Sequence, residues 1–299
     1  MSTAKGKTVS LVLGSGGARG LAHIGVIHWL EENDFKIQSI VGCSIGAVIG
    51  GIYAAGKLDE YERWVRTLTK MDIVTLLDLS WEKRGLVRGE KIVNTLIGLV
   101  GEKSIEELPI SFTAIAADLK SQKEVWIRSG NLFDAMRASF AIPLFFTPFK
   151  LRGVDLVDGG VLNPVPIAPT YGDETDLTVA VDLNGPAESP IEPVDVVAAP
   201  ESPASPIREK INRFIGRLQP STTSDGSRDW GAYEIATQAF DAMQSAIARQ
   251  QLSAYPPDAV IEIARNSCGT MEFNRAAEMI ALGYSKAKMC DLKTLAGWR

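Results

Sequence analysis

An apolar run at residues 37–41 meets a second apolar run at 47–55 across the pentapeptide Gly42-Cys43-Ser44-Ile45-Gly46. The first run belongs to a strand expected over 39–43 and the second to a helix expected over 45–55, so the pentapeptide must turn one into the other almost at once. A Gly-x-Ser-x-Gly in that place forms a nucleophile elbow. Its backbone is strained, and strand and helix approach so closely that side chains at Gly42 and Gly46 would block the turn. The helix that follows aims its amide end at Ser44 and favours negative charge there. With 27 Gly and 21 Ser in 299 residues, chance alone produces such a pentapeptide roughly once in six chains. The pattern therefore needs independent support.

A second glycine-rich loop, Gly14-Ser15-Gly16-Gly17-Ala18-Arg19-Gly20, follows a strand-like run at 8–13 and opens a helix expected over 20–32. Free backbone amides at such a loop bind anions. A dinucleotide fingerprint fails, because its third glycine would fall at Arg19. A phosphate-cradling loop would end in Gly-Lys-Ser/Thr, which is missing here. An oxyanion hole needs only amides aimed at a developing negative oxygen, and that use complements a serine nucleophile. A third element, Asp158-Gly159-Gly160, ends a strand expected over 151–157. By itself Asp-Gly is most often a turn.

Histidine placement links the three. The chain has two histidines, His23 and His28, both on the helix expected at 20–32. Five residues apart, they point roughly 140° from one another. Neither follows Asp158, where the order Ser, Asp, His of a hydrolase triad would require one. The base for Ser44 is then expected to be a carboxylate, and His23 to serve packing or a bond to the backbone.

Taken together, these residues resemble the patatin-like phospholipase family. That family combines a Gly-Gly-Gly-x-Arg-Gly loop, a Gly-x-Ser-x-Gly elbow and an Asp-Gly-Gly/Ala motif. Ser15 departs from the usual first glycine of the loop. The stretch Arg137-Ala138-Ser139-Phe140-Ala141-Ile142-Pro143 and the run Val161-Leu162-Asn163-Pro164-Val165-Pro166 fit as well. The resemblance covers about 8–184 strongly and 230–296 more loosely. Residues 78–81 and 85–90 look closest to stand-alone bacterial members of the RssA type.

The resemblance implies a three-layer αβα patatin-like fold with a mainly parallel sheet, and lipid acyl ester hydrolysis by a Ser44–Asp158 dyad. It implies an oxyanion hole from the amides of Gly16, Gly17, Ala18 and Ile45. Gly14, Arg19, Gly20, Gly42, Gly46, Gly159 and Gly160 support the motifs. Arg19 is expected to brace its loop rather than bind substrate, with a contact to a lipid phosphate as the alternative. No metal and no cofactor is required by this chemistry, and no ligand cluster with metal spacing is visible. Two alternatives share the site: a weakly active or inactive regulatory, membrane-associated protein, and a general esterase or thioesterase. Ile142, Leu144, Phe145, Phe146 and Phe149 could line an acyl channel, although such a cluster is more often core.

Alternating strand and helix patterns argue independently for helices on both faces of a mainly parallel sheet. Further helices are expected at 59–69, 89–100, 132–140, 233–252 and 274–295. Further strands are expected at 110–117, 124–128, 177–182 and 259–263. The chain reads as one domain over 1–299, with a catalytic core at 8–184, a Pro-rich insertion at 185–206 and a helical part at 207–299. Residues 185–206 hold six prolines, four acidic residues and no basic one, a composition that predicts a mobile loop. Residues 207–218 place Ile207, Ile211, Phe214, Ile215 and Leu218 on one helical face amid basic side chains. A docked surface helix is the commoner use of such a segment; a lid or a peripheral membrane contact is the alternative.

Net charge is −5, which disfavours a nucleic-acid partner. Cys43, Cys268 and Cys290 lack metal spacing and suit free thiols, with Cys43 expected to serve packing. Without a signal-like N-terminus or a long apolar run, a cytoplasmic location is expected. The sequence leaves oligomeric state open.

Overall fold

The computed structural model describes residues 6–77, 87–188 and 232–292. The expected loop and amphipathic helix at 185–218 lie, from residue 189 onward, outside the described residues, as do residues 78–86. The described chain falls into two compact units. One comprises Met1–Ala187 with Gln244–Arg299; the other is Glu188–Met243, of which Glu188 and residues 232–243 are described.

The first unit is built on one sheet. Its strands are β1 (Thr8–Leu13), β2 (Lys36–Cys43), β3 (Ser111–Asp118), β4 (Lys123–Ile127), β5 (Phe149–Leu151), β6 (Val154–Asp158), β7 (Leu177–Gly185) and β8 (Ala259–Ala264). They run in the order β5-β6-β3-β2-β1-β7-β8, with β4 paired to β3. The block β3-β2-β1-β7-β8 is parallel throughout. Those strands are near-continuous apolar runs, as strands covered on both faces must be. Leu11, Val12, Leu13, Ile40, Val179 and Val181 lie fully buried.

The helices are α1 (Ala22–Glu32), α2 (Ile45–Ala54), α3 (Leu58–Val65), α4 (Lys70–Leu76), α5 (Glu90–Val100), α6 (Leu132–Ser139), α7 (Ala232–Ala254) and α8 (Ala276–Met289). The architecture is the expected α/β fold with a mainly parallel sheet.

Two local differences from the sequence reading have physical causes. The strand expected at 151–157 is a hairpin, because Arg152 (φ 49°) and Gly153 (φ 86°) form a two-residue turn with both residues left-handed. The helix expected at 59–69 stops at Val65. Thr69 then starts α4 with a capping box, its hydroxyl accepting from the Asp72 amide while Asp72 accepts from the Thr69 amide.

Strand register positions the site. Cys43, the last residue of β2, pairs with Ile115 on β3, and the next β3 residue, Ala116, pairs with Asp158 at the end of β6. Residues 115 positions apart in the sequence thus flank the same two links of β3. Among the described residues, no helix is long and apolar enough to cross a membrane.

Candidate active site

Ser44 sits between β2 and α2 with φ 57° and ψ −122°, a left-handed backbone that a residue with a side chain adopts only at a cost. The flanking glycines make the turn possible by close approach. A Cβ on Gly46 would lie 2.1 Å from the Leu13 carbonyl oxygen, and one on Gly42 would lie 2.5 Å from the Ala47 nitrogen. The Ser44 amide donates to Ser139 Oγ at 2.9 Å, and that hydroxyl donates to the Ile115 carbonyl at 2.6 Å. Ser139, fully buried at the end of α6, therefore ties the strained turn to β3. Nothing in the stretch Arg137-Ala138-Ser139-Phe140-Ala141-Ile142-Pro143 marks Ser139 for this role, because a buried serine at a helix end has no pattern of its own.

Ser44 Oγ donates directly to Asp158 Oδ2, with no imidazole between them. The other carboxylate oxygen, Oδ1, accepts the Gly160 amide at 2.7 Å. Asp158 is 1% exposed. Burial pushes its carboxyl up to about 7, against the downward pull of the bonds from Ser44 and Gly160. A Cβ on Gly159 would strike the Ile115 carbonyl, and one on Gly160 would strike Gln244 and Ser15. Both glycines thus let the β6 end pack into the site. Cys43 packs with Val41 and Ile115 as expected, yet its Sγ also stands 4.0 Å from Asp158 Oδ1. Burial, then the neighbouring carboxylates, holds that thiol well above its usual range.

The glycine loop lies beside the elbow. Gly17, Ser44 and Ile45 line one cavity, and Gly20 packs on the Ile45 side chain. Among the described residues, no hydrogen bond leaves the amides of Gly16, Gly17 or Ile45. The Ala18 amide corrects the expected donor set, because it donates to the Thr270 carbonyl at 2.9 Å and is already committed. The Gly14 amide donates to the Val181 carbonyl. Arg19 braces the loop as expected, its Nε donating to the Gly16 carbonyl at 3.0 Å and its Nη1 to the Arg265 carbonyl at 2.7 Å. His23 donates from Nε2 to the Gly14 carbonyl at 2.9 Å. Burial lowers its pKa to about 4, so it is neutral near pH 7. Ser15, the departure in the motif, accepts from Gln244 through Oγ at 3.3 Å.

The cavity is lined by Ser44 and by residues of α3, α4 and α5 and is almost wholly apolar, with Val65, Ile73, Leu77 and Leu96 among its walls. Of the five residues considered for an acyl channel, Ile142 and Phe146 line it. Leu144 is 57% exposed with φ 68°, Phe145 is core, and Phe149 stacks over the Arg137 guanidinium. Among the described residues, no cluster of side chains could hold a metal ion.

This fold and these motifs place the chain in a family: it belongs to the patatin-like phospholipases, whose family model matches residues 11–171. An uncharacterized NTE family protein of Mycobacterium tuberculosis is 40% identical over 323 aligned residues, covering 93% of this chain and 90% of that protein. Lysophospholipase nte1 of Emericella nidulans is 31% identical over 182 residues, covering 60% of this chain and 12% of that protein. The human patatin-like phospholipase domain-containing protein 6 is 31% identical over 193 residues, covering 62% and 14%. The crystal structure of VipD from Legionella pneumophila aligns with a TM-score of 0.45 at 14% identity, covering 98% of this chain and 67% of that one. Membership of the family supports lipid hydrolase activity.

Proposed function

We propose that the protein hydrolyses carboxylic esters of lipids through a dyad of Ser44 and Asp158. The observation that carries this reading is the direct hydrogen bond from Ser44 Oγ to the buried Asp158 carboxyl, beside an apolar cavity that Ser44 lines. The ionised carboxylate takes the hydroxyl proton as Ser44 Oγ bonds to the acyl carbon. The carbonyl electrons move onto oxygen, and the amides of Gly16, Gly17 and Ile45 donate hydrogen bonds to the resulting oxyanion. As the tetrahedral adduct collapses, the ester bond breaks and the departing alcohol takes the proton from Asp158. Water then gives its proton to Asp158, attacks the acyl-serine, and releases the fatty acid while Ser44 regains its proton.

A carboxylate near pKa 7 is better matched to this work at neutral pH than an exposed one, yet remains a weak base for an alcohol. Oxyanion donors must then supply much of the acceleration, each worth about 10²–10³ in rate.

Among lipid esters, this reading favours one with a single acyl chain. The lining of the cavity at Ser44 is almost wholly apolar, which suits an acyl chain rather than a charged headgroup, and one relative carries the name lysophospholipase. Ser44→Ala and Asp158→Asn are each expected to abolish turnover of a p-nitrophenyl acyl ester, while His23→Ala keeps a substantial fraction. A fluorophosphonate should label the wild type at Ser44, which separates an enzyme from a catalytically inert regulator. Loss of turnover in His23→Ala with survival in Asp158→Asn would overturn the dyad. Equal fatty-acid release from diacyl and monoacyl phospholipid would overturn the single-chain preference.

A further inference from the structure

The turn at 265–273 joins β8 to α8, nearly a hundred residues beyond the end of the family match at residue 171. It touches the glycine loop at three points. The Thr270 carbonyl accepts the Ala18 amide at 2.9 Å, and the Arg265 carbonyl accepts Arg19 Nη1 at 2.7 Å. Gly17, left-handed at φ 59°, lies so close to Thr270 that a Cβ on it would meet the Thr270 carbonyl oxygen at 2.6 Å. Arg19 also holds the Gly16 carbonyl, so both ends of the short segment 16–19 are pinned, directly or through Arg19, to this one turn.

The same turn faces the cavity. Thr270, Met271 and Phe273 line it together with Gly17 and Ser44. Between them, Glu272 closes the turn on itself. Its Oε2 accepts the Gly269 amide at 2.9 Å and pairs with Arg275 Nη1 at 2.9 Å, while its own amide donates to the Gly269 carbonyl. A segment that seats an amide cradle on one side and walls an apolar cavity on the other connects occupancy of the cavity with the geometry of the cradle.

We propose that the turn at 265–273 is a positioning and specificity element, in which Glu272 holds the turn that seats the glycine loop and Met271 and Phe273 read the acyl chain. The catalytic half of this inference rests on the ester hydrolase reading; the chain-binding half does not. Misplacing catalytic groups by about 1 Å can cost about 10²-fold in rate, so Glu272 can affect turnover without touching substrate.

The test has two arms. In the first, Glu272→Ala is expected to lower kcat per fluorophosphonate-titrated site by about 10- to 100-fold with KM nearly unchanged. Glu272→Gln, which keeps an oxygen for the Gly269 amide, should recover most of it. Titration counts only competent sites, so simple unfolding would leave kcat per site unmoved, and that result overturns the positioning role. In the second, Met271→Ala and Phe273→Ala are made in a Ser44→Ala background and titrated with a pyrene-labelled fatty acid. Affinity should fall about tenfold for each; unchanged affinity overturns the chain-reading role. If the wild type shows no Ser44-dependent turnover, the hydrolase reading and the positioning role fail together, while the fatty-acid titration still decides the wall.

Discussion

The two walls of the cleft at Ser44 are built in opposite ways. The polar wall uses backbone and short side chains at strand ends: the 14–20 loop after β1, the elbow after β2, and Asp158 at the end of β6, with Ser139 as a peg between them. Ser44, Ser139 and Asp158 each have a named partner, and glycines such as Gly42 and Gly46 stand where a single carbon would collide with backbone. The apolar wall uses helix faces, α3 through α5, with the 140–146 loop and the 270–273 turn. Apart from Glu272 and the Thr270 carbonyl in that turn, its lining among the described residues is mainly apolar side chains, and one of these can replace another of similar volume at modest cost. Such a molecule can keep its chemistry while its chain preference drifts.

The contrast is sharpest where the largest effects are expected. Burial raises the Asp158 carboxyl to about 7, and the proposed reaction needs its ionised form. Activity should therefore fall about tenfold per pH unit below that value, reaching about 10²-fold near pH 5. A kcat/KM profile flat from pH 5 to 8 would show that the base titrates below that range, against a carboxyl raised by burial. Ser139→Ala deletes the acceptor that holds the Ser44 amide and leaves the Ile115 carbonyl without its donor. It should lower kcat by about 10²-fold with little change in KM. Wild-type kcat in that variant would mean the elbow holds its backbone unaided.

On the apolar wall, smaller and differently directed effects follow. Leu96, 2% exposed on α5, is one of the apolar residues that line the cavity. Leu96→Ala should change the ratio of kcat/KM between long- and short-chain p-nitrophenyl esters by about tenfold. An equal loss on both esters would show the two walls to be one mechanical unit, against the comparison drawn above.

The same division explains what was legible in the sequence. The elbow, the glycine loop and Asp158 stood out because their chemistry compresses into short motifs. The absence of a usefully placed histidine argued for a carboxylate partner, and His23 indeed bonds to the Gly14 backbone. The alternating pattern conveyed the mainly parallel sheet. Fine geometry did not come through. Ala18 was counted as a donor because nothing local reveals a carbonyl arriving from Thr270, 252 positions later in the chain. The turn at Arg152-Gly153 hid inside an apparently continuous strand, since a left-handed arginine carries no sequence mark. Most of the apolar wall escaped for a further reason. The apolar faces of α3 and α5 look the same whether they meet a core or a cavity.

The smallest effect concerns stability, and it sets the polar wall against itself. In the unfolded chain Asp158 titrates near 3.8, whereas in the fold its value is about 7. Below about pH 4 both states hold the proton, and the shift costs nothing. As pH rises from about 4 to about 7, the unfolded state gives up its proton first, so the folded state loses ground; the penalty is complete above about 7. Asp158→Asn removes the titration while leaving an oxygen for the Gly160 amide. Its melting temperature should exceed that of the wild type at pH 8 by a few degrees and by less at pH 5, as expected where a functional site is held at a cost in stability. An Asn variant equally or less stable at pH 8 would mean that the bonds from Ser44 and Gly160 outweigh desolvation. Asp158 would then be an ordinary, fully ionised carboxylate, and the acid limb of the activity profile should move down with it.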